Sequence, residues 1–145
     1  MSYENEYQAH LDTNEQTLER LQAAINRERH AVNCYESLMK QAKTDREKKQ
    51  IADIRDDEIQ HEQQFLALYR KLTGDPIQDT PSDSCPSTYL ESLRRSIEEE
   101  QHSVSFYLKS GDASLDLDVK RCFYRVAKDE QKHAIWFLYF YSLYK

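Results

Sequence analysis

Apolar side chains recur at alternating steps of three and four residues in four stretches of the chain, the spacing that lines one face of an α-helix. The first stripe runs Leu18, Leu21, Ile25, Glu28, Val32, Tyr35, Met39, and the second Ile51, Ile54, Glu58, His61, Phe65, Leu68, Leu72. The third is Leu90, Leu93, Ile97, Glu100, Val104, Tyr107, and the fourth Cys122, Val126, Glu130, His133, Phe137, Phe140, Tyr144. Thr13-x-x-Gln16, Thr44-x-x-Glu47 and Thr88-x-x-Glu91 read as capping boxes at three helix starts. A fourth start falls near Ser114 or Asp116, after Gly111, which stands where a C-terminal stop would. The pattern predicts helices over 14–42, 45–73, 88–110 and 116–144. Residues 1–12 then form a polar tail, and 13–145 a single domain.

The connections set the topology. Helices one and two are joined by a few residues, as are helices three and four, so each pair runs antiparallel. Between the pairs lie the 14 residues Gly74 to Ser87, with all three prolines. Extended, that segment reaches about 46 Å at ~3.3 Å per residue, against about 42 Å for a 28-residue helix. It suffices to run the length of a bundle and leave helices two and three parallel. The expected fold is all-α: a ferritin-like four-helix bundle of two antiparallel hairpins joined by a long crossover.

Composition supports this and narrows the function. Gly 2 and Pro 3 are too few for a turn-rich sheet protein. A net charge of -6 without a basic block gives no footprint for nucleic acid. The apolar run Ala134 to Tyr144 is too short to span a bilayer. Cys34, Cys85 and Cys122 are odd in number and form no C-x-x-C pair, which argues against a disulfide framework or a metal–thiolate cluster. With a polar N-terminus, the expectation is a soluble cytoplasmic protein in a reducing compartment.

Six of the inward positions are ionisable, and an uncompensated buried carboxylate is costly. A misjudged stripe would explain one such glutamate but not four at one depth. Glu28 lies 16 residues before Thr44 and Glu58 14 after it, while Glu100 and Glu130 each lie about 15 residues from the second turn near Leu115. His61 and His133 follow Glu58 and Glu130 by three residues, on the same helix face. Two divalent ions offset four carboxylates, and one Glu plus one Glu-x-x-His from each hairpin is the ligand pattern of di-iron and di-manganese bundles. The metal ligands are thus expected to be Glu28, Glu58, His61, Glu100, Glu130 and His133.

The two halves also align without a gap at an offset of 72, with 15 identities in 55 positions between 18–72 and 90–144. The pairs Glu28/Glu100, His30/His102, Tyr35/Tyr107, Asp57/Asp129, Glu58/Glu130, His61/His133 and Phe65/Phe137 predict a site with approximate two-fold symmetry. Asp57 and Asp129 are placed to accept the free N–H of a ligand imidazole, on their own or the opposing helix; solvated surface acids are the alternative. Tyr35 and Tyr107 fit either as hydrogen-bond donors to ligand carboxylates or as plain core aromatics. His30 and His102 fall on another face, exposed or at an interface, and His10 has no evident partner. The run Ile135 to Tyr141 is apolar around much of its helix, which points to a homodimer contact.

Glu28-Arg29-His30-Ala31-Val32-Asn33-Cys34-Tyr35, Ile97-Glu98-Glu99-Glu100 and Asp129-Glu130-Gln131-Lys132-His133 resemble the ligand helices of rubrerythrins. The resemblance covers roughly 15–144 and implies a non-haem di-iron centre that reduces hydrogen peroxide or dioxygen. Carried over by position, Glu58 and Glu100 bridge or chelate two irons, Glu28 and Glu130 are terminal, and Glu58, Glu100, Tyr35 and Tyr107 act in the reaction. Two departures stand out: Ser103 occupies the place of a further rubrerythrin carboxylate, and no cysteine cluster forms a rubredoxin domain. The six-ligand set is also close to bacterioferritins, though Ile59 stands where they present a haem-binding methionine.

The expected function is that of a di-iron peroxidase fed by an external electron-donor protein. The alternative is a ferroxidase that stores or transfers iron. A structural bundle with paired acids, and an oxidase acting on an organic substrate, remain further readings. The ligand set does not separate iron from manganese.

Overall fold

The structure is a computed structural model, described for residues 11–77 and 83–145. Most of the expected polar tail, His10 and the middle of the crossover lie outside the described residues. The chain forms α1 (Asn14–Gln41), α2 (Asp45–Thr73), α3 (Tyr89–Ala113) and α4 (Leu117–Tyr144).

Side-chain caps start every helix. At Thr13 the box is complete, the hydroxyl accepting from Gln16 N–H and the Gln16 amide accepting from Thr13 N–H. Thr44 and Thr88 accept from the N–H of Glu47 and Glu91, but these boxes stay half-made. The Glu47 carboxylate is engaged by hydroxyls instead, and that of Glu91 by Arg94. Asp116 caps α4 by accepting from Val119 N–H. Gly74 ends α2 at φ 75°, a left-handed conformation that favours glycine.

Gly111 is not a stop. The helix continues to Ala113, and Gly111 is buried against the Tyr124 ring, where a Cβ would lie 2.5 Å from Cε1. The glycine permits a close approach of α3 and α4.

Cross-helix contacts fix the topology. Glu28 meets Tyr107 while Tyr35 meets Glu100, so α1 and α3 are antiparallel; His61 with Asp129 and Asp57 with His133 show the same for α2 and α4. With each hairpin antiparallel, α2 and α3 are parallel, and the four helices form the expected ferritin-like bundle.

Two apolar layers sit above and below the middle of the bundle. One contains Leu21, Ile25, Phe65, Tyr107 and Phe123, the other Tyr35, Ile51, Ile54, Leu93, Phe137 and Phe140. The stripes drift at the helix ends: Leu72 is exposed and Cys122 half-buried, while Val119 and Phe123 take the inward places. A straight helix of 3.6 residues per turn slips about 20° per heptad against a strict seven-residue pattern.

The expectation of unpaired cysteines fails. Cys34 on α1 and Cys85 on the returning crossover are disulfide-bonded, their Cα atoms 5.4 Å apart. The bond spans 51 residues and depends on where the crossover lands, which residue spacing does not encode. The cysteine count therefore no longer argues for a reducing compartment. Among the described residues no helix is long and apolar enough to cross a membrane.

Candidate metal centre

All six expected ligand residues converge between the two apolar layers, each at most 3% exposed. One atom from each of Glu28, Glu58, His61 and Glu130 can be chosen so that all lie within 4.8 Å of one another. The same holds for Glu58, Glu100, Glu130 and His133. The two sets share Glu58 and Glu130, which the internal repeat relates to each other. By position Glu58 and Glu100 were expected to bridge or chelate; in the two sets the members in common are Glu58 and Glu130, with Glu28 in one set and Glu100 in the other.

The imidazoles aim Nδ1 inward. His61 Nδ1 lies 3.1 Å from Glu130 and 3.2 Å from Glu58, and His133 Nδ1 lies 3.2 Å from Glu58 and 3.6 Å from Glu100. Both outer nitrogens meet an aspartate of the opposing hairpin: His61 Nε2 is 2.8 Å from Asp129 Oδ2, and His133 Nε2 is 2.8 Å from Asp57 Oδ2. This reciprocal exchange selects the opposing-helix alternative for both aspartates. The tyrosines are also tied to the cluster, Tyr107 OH donating to Glu28 at 2.7 Å and Tyr35 OH to Glu100.

The charge balance of the protein alone is tense. Burial pushes the carboxyls of Glu28 and Glu130 well above the usual carboxylate range, with neighbouring glutamates adding to the effect. Burial opposes ionisation of Glu58 as well, but the imidazoles of His133 and His61, each with Nδ1 3.2 Å away, outweigh it and hold that carboxyl low. Burial disfavours charge on the imidazoles, yet the neighbouring carboxylates of Asp129, Glu28 and Glu58 raise His61, and those of Asp57, Glu100 and Glu58 raise His133, each to about 12. Even so, Glu28 Oε2, Glu58 Oε1, Glu100 Oε2 and His133 Nδ1 are buried without a hydrogen-bond partner. Orphaned polar atoms facing one another in a buried layer are what a bound cation satisfies. The mixed oxygen and nitrogen donors suit iron or manganese.

A cleft of about 530 Å³ between α1 and α3 reaches this cluster. Glu28, Glu58, Glu100 and Glu130 form its floor, and Arg27, His30, Asp83, Arg95, Glu99 and Ser103 are among its walls. Ser103 Oγ accepts from Arg27 Nη1 at 3.2 Å, and the guanidinium also lies 4.7 Å over Phe106. His30 is half-buried and 3.6 Å from Glu99, whereas His102, its counterpart in the repeat, is exposed. Sequence reasoning missed the cleft walls, since only the α1–α3 packing brings Arg27, Arg95 and Ser103 together.

A family model described as Rubrerythrin matches residues 19–141. The chain belongs to the rubrerythrin family. It is 42% identical over 120 residues to "Uncharacterized protein YhjR" of Bacillus subtilis (strain 168), covering 83% of each chain. Among solved structures it is similar to a hypothetical protein, Pfu-1136390-001, from Pyrococcus furiosus, with a TM-score of 0.76 and 23% identity over 88% of this chain and 89% of that one. That likeness carries the helical-bundle fold. No rubredoxin-type cysteine cluster accompanies this rubrerythrin domain among the described residues, and Ser103 stays a small hydroxyl at the edge of the cleft.

Proposed function

We propose that this rubrerythrin-family chain binds two iron ions and reduces hydrogen peroxide, or dioxygen, with electrons from an external donor protein. The observation that carries the reading is the pair of buried donor sets sharing Glu58 and Glu130. In this reading Glu28 and His61 complete one metal site, Glu100 and His133 complete the other, and Glu58 and Glu130 serve both. Manganese fits the same donors.

Iron held by these residues would supply one-electron redox chemistry. The chain's own residues arrange the rest. Asp57 and Asp129 fix each ring so that Nδ1 faces inward. Tyr107 and Tyr35 orient Glu28 and Glu100 through their hydroxyls, and burial holds both phenols protonated by pushing them well above their usual range. The apolar layers exclude bulk water, and the cleft admits a small oxidant. Exposed Ile135, Leu138 and Tyr139 on α4 support a homodimer in which a second copy covers them.

Purified protein is expected to hold two equivalents of metal, and Glu58→Gln to lose both. Reduced, iron-loaded protein mixed with peroxide in a stopped-flow instrument should oxidise faster than with dioxygen. Equal or slower rates would remove the peroxidase assignment. The ferroxidase and iron-storage reading is favoured by the carboxylates of Asp83 and Glu99 along the cleft, which also suit a passing cation. A hollow shell by light scattering would select it, and a dimer would reject storage.

A further inference from the structure

We infer that Cys34 and Cys85 are a redox-active pair that supplies the two electrons for reduction of the oxidant, the bond between them being the oxidised product. The inference rests on the reading of the site given above and names the immediate source of its electrons.

Cys34 immediately precedes Tyr35, whose hydroxyl donates to Glu100. Arg95 and Glu99 line both the cleft to the carboxylates and the recess at Cys34. Asp83, two residues before Cys85, is part of the cleft wall. The sulfur pair thus sits behind the cleft wall, separated from the cleft by side chains that line both spaces.

Cys34 Sγ lies 3.7 Å from His30 Nε2, and Asn33 Nδ2 lies 3.7 Å from Cys85 Sγ, so each sulfur has a nitrogen in reach when it carries thiolate charge. Both cysteines are only half-buried. Cys85 lies on a non-helical stretch, so it can separate from Cys34 without breaking a helix.

A purely mechanical staple is the competing reading, but the end of the crossover near Cys85 is also held by hydrogen bonds. Gln41 and Ser92 donate to the Pro86 carbonyl at 3.4 and 3.2 Å, and Arg95 to the Ser84 carbonyl at 3.3 Å. The cysteines also stand apart from the internal repeat, Cys34 matching Phe106 and Cys85 preceding the aligned segment. Cys122 is of another kind: it faces Gln64 between α2 and α4, and burial pushes its thiol up to about 11.

The balance closes. Two thiols release two protons and two electrons and form one S–S bond, while one peroxide O–O bond breaks and two waters leave. An external dithiol then restores the pair by thiol–disulfide exchange, becoming a disulfide itself.

The test uses full-length, iron-loaded protein, reduced and kept anaerobic. Two equivalents of hydrogen peroxide are added, matching the metal pair plus the dithiol. The sample is quenched with an alkylating agent at intervals and mapped by peptide mass. Cys34 and Cys85 are expected to lose alkylation together while Cys122 stays alkylated. In Glu58→Gln their loss should be about tenfold slower or more, leaving the direct reaction of ordinary thiols with peroxide.

Peroxide consumed with both thiols still free would overturn the inference and leave the reading of the site intact. Equal thiol oxidation in Glu58→Gln would overturn it too, by making the cysteines react on their own. No consumption of peroxide by the reduced wild type would overturn the reading of the site and the inference together. A Cys34→Ser, Cys85→Ser chain, checked for helicity and metal content, should consume one equivalent of peroxide yet fail to turn over with a dithiol reductant. Turnover at the wild-type rate would also overturn the inference.

Discussion

At the scale of single residues, the site depends on hydrogen bonds that cross between the hairpins. Asp57 and Asp129 are partly exposed, yet each holds an imidazole that is almost wholly buried. Asp129→Asn keeps the shape but removes the charge that the His61 ring faces. Metal affinity should fall about 10–100-fold with helicity unchanged, read by competition with a chromophoric chelator. A change under about threefold would make Asp129 an ordinary surface acid. The convergence of the six residues was legible because Glu-x-x-His repeats at matching depth, and the internal repeat singled out Asp57 and Asp129. Which helix each aspartate serves was not legible, since helical spacing fixes a face but not the neighbour across it. That Glu58 and Glu130 belong to both donor sets was not legible for the same reason: such sharing is a property of four helices together.

At the scale of elements, α3 and α4 approach closely because residue 111 lacks a side chain. Helix propensity alone would make Gly111→Ala stabilising by about 0.5–1 kcal/mol. The Tyr124 ring at 2.5 Å reverses that sign, and the variant should lose about 1–3 kcal/mol in denaturant titration. In a Tyr124→Leu background the same substitution should cost less, which separates the clash from any backbone effect. The sequence suggested a stop at Gly111 because a lone glycine near a helix end has the same signature as a close packing point.

Glu47 links the other end of the bundle. Its carboxylate accepts from Thr44 at 2.6 Å, Tyr89 at 2.8 Å and Tyr144 at 2.6 Å, joining the starts of α2 and α3 to the end of α4. Burial alone would raise its pKa, but those three hydroxyls lower it below the ordinary 4.5. A depressed folded value means stabilisation present above pH 4.5 and lost as pH falls through the folded pKa. Glu47→Gln should therefore cost about 1–3 kcal/mol at neutral pH. It should also flatten the wild type's loss of stability on acidification, followed by urea titrations at several pH values.

At the scale of the whole molecule, the bundle is two similar hairpins closed around groups that repel or orphan one another without a counter-charge. With His61 and His133 raised to about 12, the metal-free fold gains stability below the ordinary 6.5 that is lost as pH rises through 12. Burial also keeps protons on Glu28 and Glu130. Metal must displace these protons, so its affinity should rise with pH. Calorimetric heats should differ between buffers of unlike ionisation enthalpy, whereas equal heats would mean that no protons leave. The bundle and its topology were legible from four stripes and one long connection. The Cys34–Cys85 bond was not, because it is set by the path of the crossover.

The reciprocal aspartate–histidine exchange also bears on inheritance. If the chain arose by doubling of one helical hairpin, the copies were not free to diverge independently, because each supplies the residue that orients the other's imidazole. A change in one half is felt as a defect in the other, so selection acts on the two as a coupled pair. The chain carries its own two-member alignment: Glu28/Glu100, Tyr35/Tyr107, Asp57/Asp129, Glu58/Glu130 and His61/His133 stay matched. Novelty enters outside these matched pairs, and Cys34, which aligns with Phe106, marks one such place.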